Sequence, residues 1–376
     1  MKRILFLTGT RADFGKIKRL MNYVEQDERY ELHVAVTGMH MLKLYGGTYR
    51  EVKREGYRNQ YLFVNQHADE PMDSILGNTV SQLSRLVHEI EPDLVVVHGD
   101  RVEAMAGAIV GALNNRLVCH IEGGELSGTI DDLIRHSVSK LSHVHMVAND
   151  EARDRLLQMG ENPRSIFVIG SPDLDVMASD DLPALPGIRA HYGISAERYA
   201  IVMFHPVTTE VDQIPAQVEE LKAALAASND HYIVVYPNND LGSHHILEAW
   251  EHLRGESRFQ VFPSIRFESF LVLLQNADYI IGNSSAGIRE APFFGTPTIN
   301  IGSRQNRRFK TGSIIDCACS RGAILGAIEQ ARVLPRQDSP AGHHFGDGDS
   351  VSRFAQVLAE PDFWATPLQK QFMDRA

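Results

Sequence analysis

Three carboxylates, Asp100, Glu122 and Asp131, stand where alternating strands and helices would gather them at one edge of a sheet. The apolar runs Leu94–His98 and Leu117–Ile121 read as buried strands. Each runs straight into glycine and acid, His98-Gly99-Asp100 and Glu122-Gly123-Gly124-Glu125. Ligands of open α/β sheets lie beyond the carboxyl ends of such strands. Asp100 and Glu122 are therefore expected to project into one crevice, with Asp131 delivered to it by the following loop. Carboxylates sharing a crevice have their pKa values pushed apart by neighbouring charge and burial, so that one can give a proton while another takes one. The expected chemistry is proton transfer. His40 and His136 are candidate proton shuttles, because a free imidazole titrates near neutrality; hydrogen-bonded structural histidines read equally well. His143-x-His145 has the spacing of two metal ligands on one strand face, but no Cys or acidic partner stands at ligand spacing beside it. No metal site is expected.

A second set of residues suits an anion. Ile4–Leu7 reads as a strand, Thr8-Gly9-Thr10-Arg11-Ala12-Asp13-Phe14-Gly15 as a turn, and Lys16–Glu25 as a helix. Strand, glycine turn and helix present backbone N–H groups and a helix dipole to a phosphate, and Arg11 adds a bidentate donor. An ordinary strand-to-helix turn fits the same residues. In the second half, Gly282-Asn283-Ser284-Ser285-Ala286-Gly287-Ile288-Arg289-Glu290 follows a strand and is expected to open a helix Ser285–Phe293 at an anion-binding N-terminus. A plain N-cap is the competing reading of Ser284 and Ser285. Glu290, further along, suits a ribose diol.

The elements that must position these groups alternate along the chain. At 376 residues it exceeds what one core serves, so two domains are expected. Apolar content of 43% and charged content of 23% are ordinary globular values. A net charge of -11 argues against nucleic acid or an anionic membrane as a general partner. Three cysteines make no disulfide framework, and no apolar stretch is long enough to span a bilayer, which suits the cytoplasm. Repeated strand–helix units over 1–170 and again over 199–355 predict an α/β protein of two Rossmann-like doubly wound domains facing across a cleft, the GT-B-like arrangement. The Pro-containing, acidic stretch 171–198 reads as the interdomain connection. The polar loop 335–349 leads to helices over Val351–Leu358 and Pro367–Phe372, so that 356–376 packs back on the body.

Eight short motifs occur in this order: TGTRADFGK, VTGMHML, HGDRVEA, HIEGGELSGTIDD, IRHSVSK, MFHPVTTE, YPNND and GNSSAGIREAP. Together they resemble the hydrolysing UDP-N-acetylglucosamine 2-epimerases of sialic acid biosynthesis, the bacterial capsular type in particular. The resemblance implies conversion of UDP-N-acetylglucosamine and water to UDP and N-acetylmannosamine, the first step towards N-acetylneuraminate. It implies Asp100, Glu122 and Asp131 as catalytic carboxylates, with His205 acting beside the diphosphate. It implies Arg11, Asn238, Ser284, Ser285, Glu290 and Arg304 as UDP contacts, Phe270 near the uracil and Arg101 on the phosphate side. No cofactor, a UDP-sugar as the small-molecule partner, and a homodimer are implied as well. Two alternatives stand beside it. One is a hydrolysing epimerase for a UDP-2,4-diacetamido-trideoxy sugar of the legionaminic acid pathway; the other, more remote, is a GT-B glycosyltransferase.

Overall fold

The computed structural model describes residues 1–336 and 343–374. Residues 337–342, part of the expected polar loop 335–349, lie outside the described residues, as do 375 and 376. The chain forms two compact units, Met1–Leu126 with Asp131–Ser179 and Phe345–Ala376, and Ser127–Ile130 with Asp180–His344.

Among the described residues the first unit holds a seven-stranded parallel sheet. Its strands are β1 (Lys2–Thr8), β2 (Tyr30–Val36), β3 (Asn59–Leu62), β4 (Leu94–His98), β5 (Leu117–Ile121), β6 (Val144–Val147) and β7 (Ile166–Val168), in the order β3-β2-β1-β4-β5-β6-β7. Parallel strands covered on both faces read as unbroken apolar runs, which is why β4 and β5 coincide with the stretches legible in the sequence. One face packs Ile4, Phe6, Val34 and Val96 against Ile17, Leu20 and Met21 of the helix Arg11–Gln26. On the helix Val102–Leu113, a Cβ on Gly107 would come within 2.5 Å of Val97 Cγ1, so only glycine lets this helix lie so close to β4. That close seat fixes where Asp100 leaves the sheet.

The second unit repeats the plan with β8 (Ala200–Met203), β9 (Tyr232–Val235), β10 (Phe259–Phe262), β11 (Ile280–Gly282), β12 (Thr298–Ile301) and β13 (Ile314–Cys317), ordered β10-β9-β8-β11-β12-β13. In each sheet the order reverses beside the first strand, between β1 and β4 and between β8 and β11. Such reversals open crevices at the carboxyl ends, where doubly wound proteins bind ligands.

Several elements depart from the sequence expectation. The helix expected over Lys16–Glu25 starts at Arg11, because Thr10 and Asp13 form a capping box there. The helix expected over Ser285–Phe293 is broken into a 3-10 turn, Ser285–Gly287, and a short helix, Glu290–Phe293. The connection 171–198 contains two helices, Pro172–Met177 and Leu185–Tyr192. The first of these is buried in the first unit, which runs on to Ser179. Pro367–Phe372 is not helical; the last helical turn is Pro361–Trp364, started by its proline. The return to the first unit comes at Phe345, ahead of the expected 356, and carries Phe354 of the helix Ser350–Ala359 into the core. Strand β13 and the helix Arg321–Val333 were not foreseen. The strand is short and half-exposed at the sheet edge, with no clean alternation. The helix does carry a stripe, Ile324, Ala327, Ile328 and Ala331.

Gly282 ends β11 with φ 138°, and a Cβ there would lie 1.9 Å from the Met203 carbonyl oxygen. Gly282→Ala should destabilise the protein by about 2 kcal/mol or more, read as a fall in the urea midpoint.

Candidate active site

Strands β4 and β5 run side by side with His98 opposite Ile121, so Asp100 and Glu122 emerge from neighbouring strand ends. They meet on one side chain, Arg135, which lies in the helix Ile130–Leu141 and is fully buried. Arg135 Nη1 donates to the Glu122 carbonyl oxygen at 2.8 Å and to Glu122 Oε1 at 3.2 Å, and Nη2 donates to the Asp100 carboxylate. Glu125 Oε2 lies 3.9 Å from Nη1. On its other side, Glu122 Oε2 lies 2.9 Å from His98 Nε2. Two carboxylates drawn to one side chain repel each other, and a guanidinium that cannot lose its proton counters that repulsion. Asp131 sits four residues before Arg135 in the same helix, hence on the same face. Its place in the first turn also puts its charge at the positive end of the helix dipole. Glu122 adopts φ 70°, a left-handed backbone that costs a glutamate about 1 kcal/mol or more. The backbone bond from Glu122 N–H to the Met146 carbonyl at 3.2 Å and the Arg135 contacts hold it there.

His120 ties the same helix to the Asp100 loop. Its Nε2 faces the Gly99 carbonyl at 2.8 Å, and a carbonyl only accepts, so Nε2 carries the proton and Nδ1 accepts from Ser139 Oγ at 3.0 Å. Neither Arg135 nor His120 was singled out from the sequence. The signal for Arg135 was its spacing from Asp131, but a buried cation on an amphipathic helix looks like an exposed one.

At the end of β1 the structure corrects the phosphate-turn reading. The Gly9 and Thr10 N–H groups donate to the Asp13 carboxylate at 3.0 and 3.2 Å, so an internal acid takes the donors expected for a ligand. Burial raises the Asp13 pKa against these hydrogen bonds and the nearby His98. Arg11 is the group that remains. Nη2 donates to the Glu51 carboxylate, while Nε and Nη1 are buried without a hydrogen-bond partner. His40 is closed off from solvent, with Nε2 3.0 Å from Thr8 Oγ1 and Nδ1 2.7 Å from Thr48 Oγ1. Burial, aided by Arg11, pushes its pKa down to about 3, so it is a neutral ring that braces the turn. His136 Nε2 lies 3.7 Å from Asp132 Oδ1 on a half-exposed helix face. Arg101 stands at the N-cap position of the helix Val102–Leu113 without a side-chain capping hydrogen bond, its Nε 3.6 Å from the buried Glu103.

In the second unit the hub is Asn283, another residue not singled out. Its Oδ1 accepts from the His205 N–H at 2.6 Å and its Nδ2 donates to the His205 carbonyl at 2.8 Å, clipping the end of β8 to the end of β11. Its own carbonyl accepts from Arg304 Nη1 at 3.2 Å and from Gln305 Nε2 at 2.7 Å. The Asn238 N–H donates to His205 Nδ1 at 3.0 Å. A backbone N–H can only donate, so the His205 ring carries its proton on Nε2 and presents a donor there. Asn238 Nδ2 is engaged by Asp240. Ser284 accepts from the Ala286 N–H at 3.3 Å as a local cap, Ser285 begins the 3-10 turn, and Glu290 is buried at the start of its short helix. No long helix dipole stands behind these serines. Phe270 is buried in the helix Phe267–Asn276. Two clusters thus form, Asp100 and Glu122 on Arg135 in the first unit and His205, Asn238 and Arg304 around Asn283 in the second.

Comparison with known proteins places this arrangement. The family model described as UDP-N-acetylglucosamine 2-epimerase matches residues 22–359. The chain is 55% identical to the UDP-N-acetylglucosamine 2-epimerase of Neisseria meningitidis serogroup B, over 100% of this chain and 99% of that one. The chain belongs to the UDP-N-acetylglucosamine 2-epimerase family. Within it, the chain is also 33% identical to the UDP-N,N'-diacetylbacillosamine 2-epimerase (hydrolyzing) of Legionella pneumophila, over 100% of this chain and 99% of the relative. The fold is shared with the Methanocaldococcus jannaschii UDP-GlcNAc 2-epimerase solved in complex with UDP-GlcNAc and UDP, at a TM-score of 0.79, 20% identity, and coverage of 95% and 99%.

The buried rings give this family member a pH signature. Burial pushes the pKa of His120, like that of His40, down to about 3. Unfolded histidines take up protons below about pH 6.5 and the folded ones do not, so stability falls on acidification by about 1.4 kcal/mol per pH unit for each ring. Urea unfolding at pH 7, 6 and 5 should show this loss, with a shallower slope in His120→Asn.

Proposed function

We propose that the chain is a hydrolysing 2-epimerase, converting UDP-N-acetylglucosamine and water to UDP and N-acetylmannosamine. The observation that carries this reading is Arg135 binding Asp100 and Glu122 together, with Asp131 on the same helix face.

The sugar C2 proton is not acidic, because no carbonyl adjoins it. Departure of the diphosphate from C1 builds oxocarbenium character and makes it so. One carboxylate takes the C2 proton as the C1–O bond breaks, leaving UDP and 2-acetamidoglucal by anti elimination. Water then adds its oxygen to C1 and gives its proton to a carboxylate, while a second carrier protonates C2 on the face opposite the one that lost its proton, giving the manno sugar. Two faces need two proton carriers. We assign them to Glu122 and Asp131, with Asp100 orienting the sugar and Arg135 holding Asp100 and Glu122 in place. The charge developing on UDP falls to Arg11, with its two unpartnered nitrogens, to the His205 Nε2 proton and to Arg304, as preorganised donors. Asn238, Ser284, Ser285, Glu290, Phe270 and Arg101 complete the UDP contacts in this reading. A glycosyltransferase would have no use for a second proton carrier.

The whole-length likeness to the Legionella enzyme supports a second reading, in which the substrate is a UDP-2,4-diacetamido sugar. The higher identity to the Neisseria enzyme favours UDP-N-acetylglucosamine. A place at the head of sialic acid synthesis, a cytoplasmic location and a homodimeric state belong to the same proposal and rest on the motif resemblance.

Proton NMR in deuterated water with UDP-N-acetylglucosamine should show free UDP and N-acetylmannosamine deuterated at C2. Proton retained at C2 with UDP release would overturn the elimination route, and product UDP-N-acetylmannosamine would overturn hydrolysis. Asp131→Asn should lower kcat by about a hundredfold or more with the inhibition constant for UDP unchanged.

A further inference from the structure

The His143-x-His145 pair, set aside as a metal motif, turns out to have an acidic partner that the sequence spacing hid. His145 Nε2 lies 2.9 Å from Glu161 Oε2, both groups fully buried. Glu161 also receives Lys140 Nζ at 2.8 Å and Lys370 Nζ at 2.6 Å. Among the described residues no set of three His, Cys, Asp or Glu side chains is placed to hold a metal, so the cluster serves something else.

What it holds is the C-terminal segment. His143 Nε2 meets the Leu368 carbonyl at 3.0 Å, and the Met373 N–H donates to the Gly160 carbonyl at 3.1 Å. Lys140 Nζ stands 5.1 Å from the centre of the Phe372 ring. Between these anchors Lys370 Nζ donates to the carbonyls of Ser139, Lys140 and Ser142 at 3.0, 2.9 and 2.6 Å. Ser139 and Lys140 lie in the last turn of the helix Ile130–Leu141 and Ser142 directly follows it, where carbonyls run out of intrahelical donors; the Ser139 carbonyl also accepts from the Ser142 N–H at 3.2 Å. An ammonium there satisfies them and lies at the negative end of the helix dipole.

From this the geometry points to Lys370 as a positioning residue for the reaction: it clamps the carboxyl end of the helix that carries Asp131 and Arg135. The contacts continue to the carboxylates. Ser139, whose carbonyl Lys370 holds, donates its hydroxyl to His120 Nδ1 at 3.0 Å, and His120 Nε2 donates to the Gly99 carbonyl, next to Asp100, at 2.8 Å. Losing the ammonium frees the last helical turn and, through Ser139 and His120, the Asp100 loop. Misplacing reacting groups by an ångström costs rate and leaves UDP contacts in the second unit intact. The proposal rests on the reading that Asp131 and Arg135 act from this helix.

The test compares Lys370→Met, Lys370→Arg and wild type. It measures kcat and KM for UDP-N-acetylglucosamine, the inhibition constant of UDP, and amide hydrogen exchange throughout the first unit. In Lys370→Met kcat should fall about tenfold or more at an unchanged UDP inhibition constant, with faster exchange confined to this helix and the Gly99–Asp100 turn. Lys370→Arg, which keeps the charge, should recover most of the rate. A Lys370→Met enzyme within twofold of wild type overturns the proposal. So does a parallel loss of kcat, UDP affinity and exchange protection throughout the first unit, which would make Lys370 mere glue for the fold. Lys370→Gln gives the same expectations should Lys370→Met yield no folded protein, and failure of both to fold also overturns it. If wild type makes no product, the proposed function fails on its own, and the exchange pattern still decides the clamp: local loosening supports it and unchanged exchange overturns it.

Discussion

The first unit is organised around a cation that cannot leave. Arg135 is buried with no exposed surface, and an unpaired ion in such a place costs several kcal/mol. The only way to keep it is to bring carboxylates to it, and Asp100, Glu122 and Glu125 are those brought. The dependence is mutual. Asp100 and Glu122 repel one another and tolerate their proximity because the guanidinium stands between them. The left-handed backbone of Glu122 persists because both its carbonyl and its carboxylate are bound by the same side chain.

The second unit solves a different problem with neutral groups. Asn238 and Asn283 fix both the ring and the backbone of His205. The Asn238 N–H decides the tautomer by donating to Nδ1, and Asn283 clips the backbone of His205 with a reciprocal pair of hydrogen bonds. Asn283 sits one residue beyond Gly282, whose φ of 138° brings β11 against the Met203 carbonyl. The strand-order reversal between β8 and β11 is thus closed by one glycine and one asparagine. Both stand in the GNSSAGIREAP motif, where the serines draw more notice.

Where the sequence misled, the reason was local chemistry satisfied from within. The glycine turn after β1 has the make-up of a phosphate site, yet Asp13, four residues from Gly9, takes its N–H groups. The serines after β11 look like the head of a long helix, yet the chain makes one 3-10 turn and restarts. His40 has the ordinary composition of a proton shuttle but is sealed between two threonines. Short-range pattern shows which groups are present; it does not show which of them are already engaged.

The sequence alone determined the parallel sheets, because strands buried on both faces must be apolar throughout, and β4, β5 and β12 can be read to the residue. It also determined which carboxylates leave the strand ends, since glycine and acid follow each run at once. The tertiary structure alone decided what holds them. Arg135 reaches two strand ends from a helix, Asn283 joins two strands 78 residues apart, and Lys370 caps a helix from 228 to 231 residues downstream. Periodicity records only which face of an element is buried. A polar side chain that is buried and paired across such distances leaves the same trace as one that is exposed, so its partner appears only when the chain is folded.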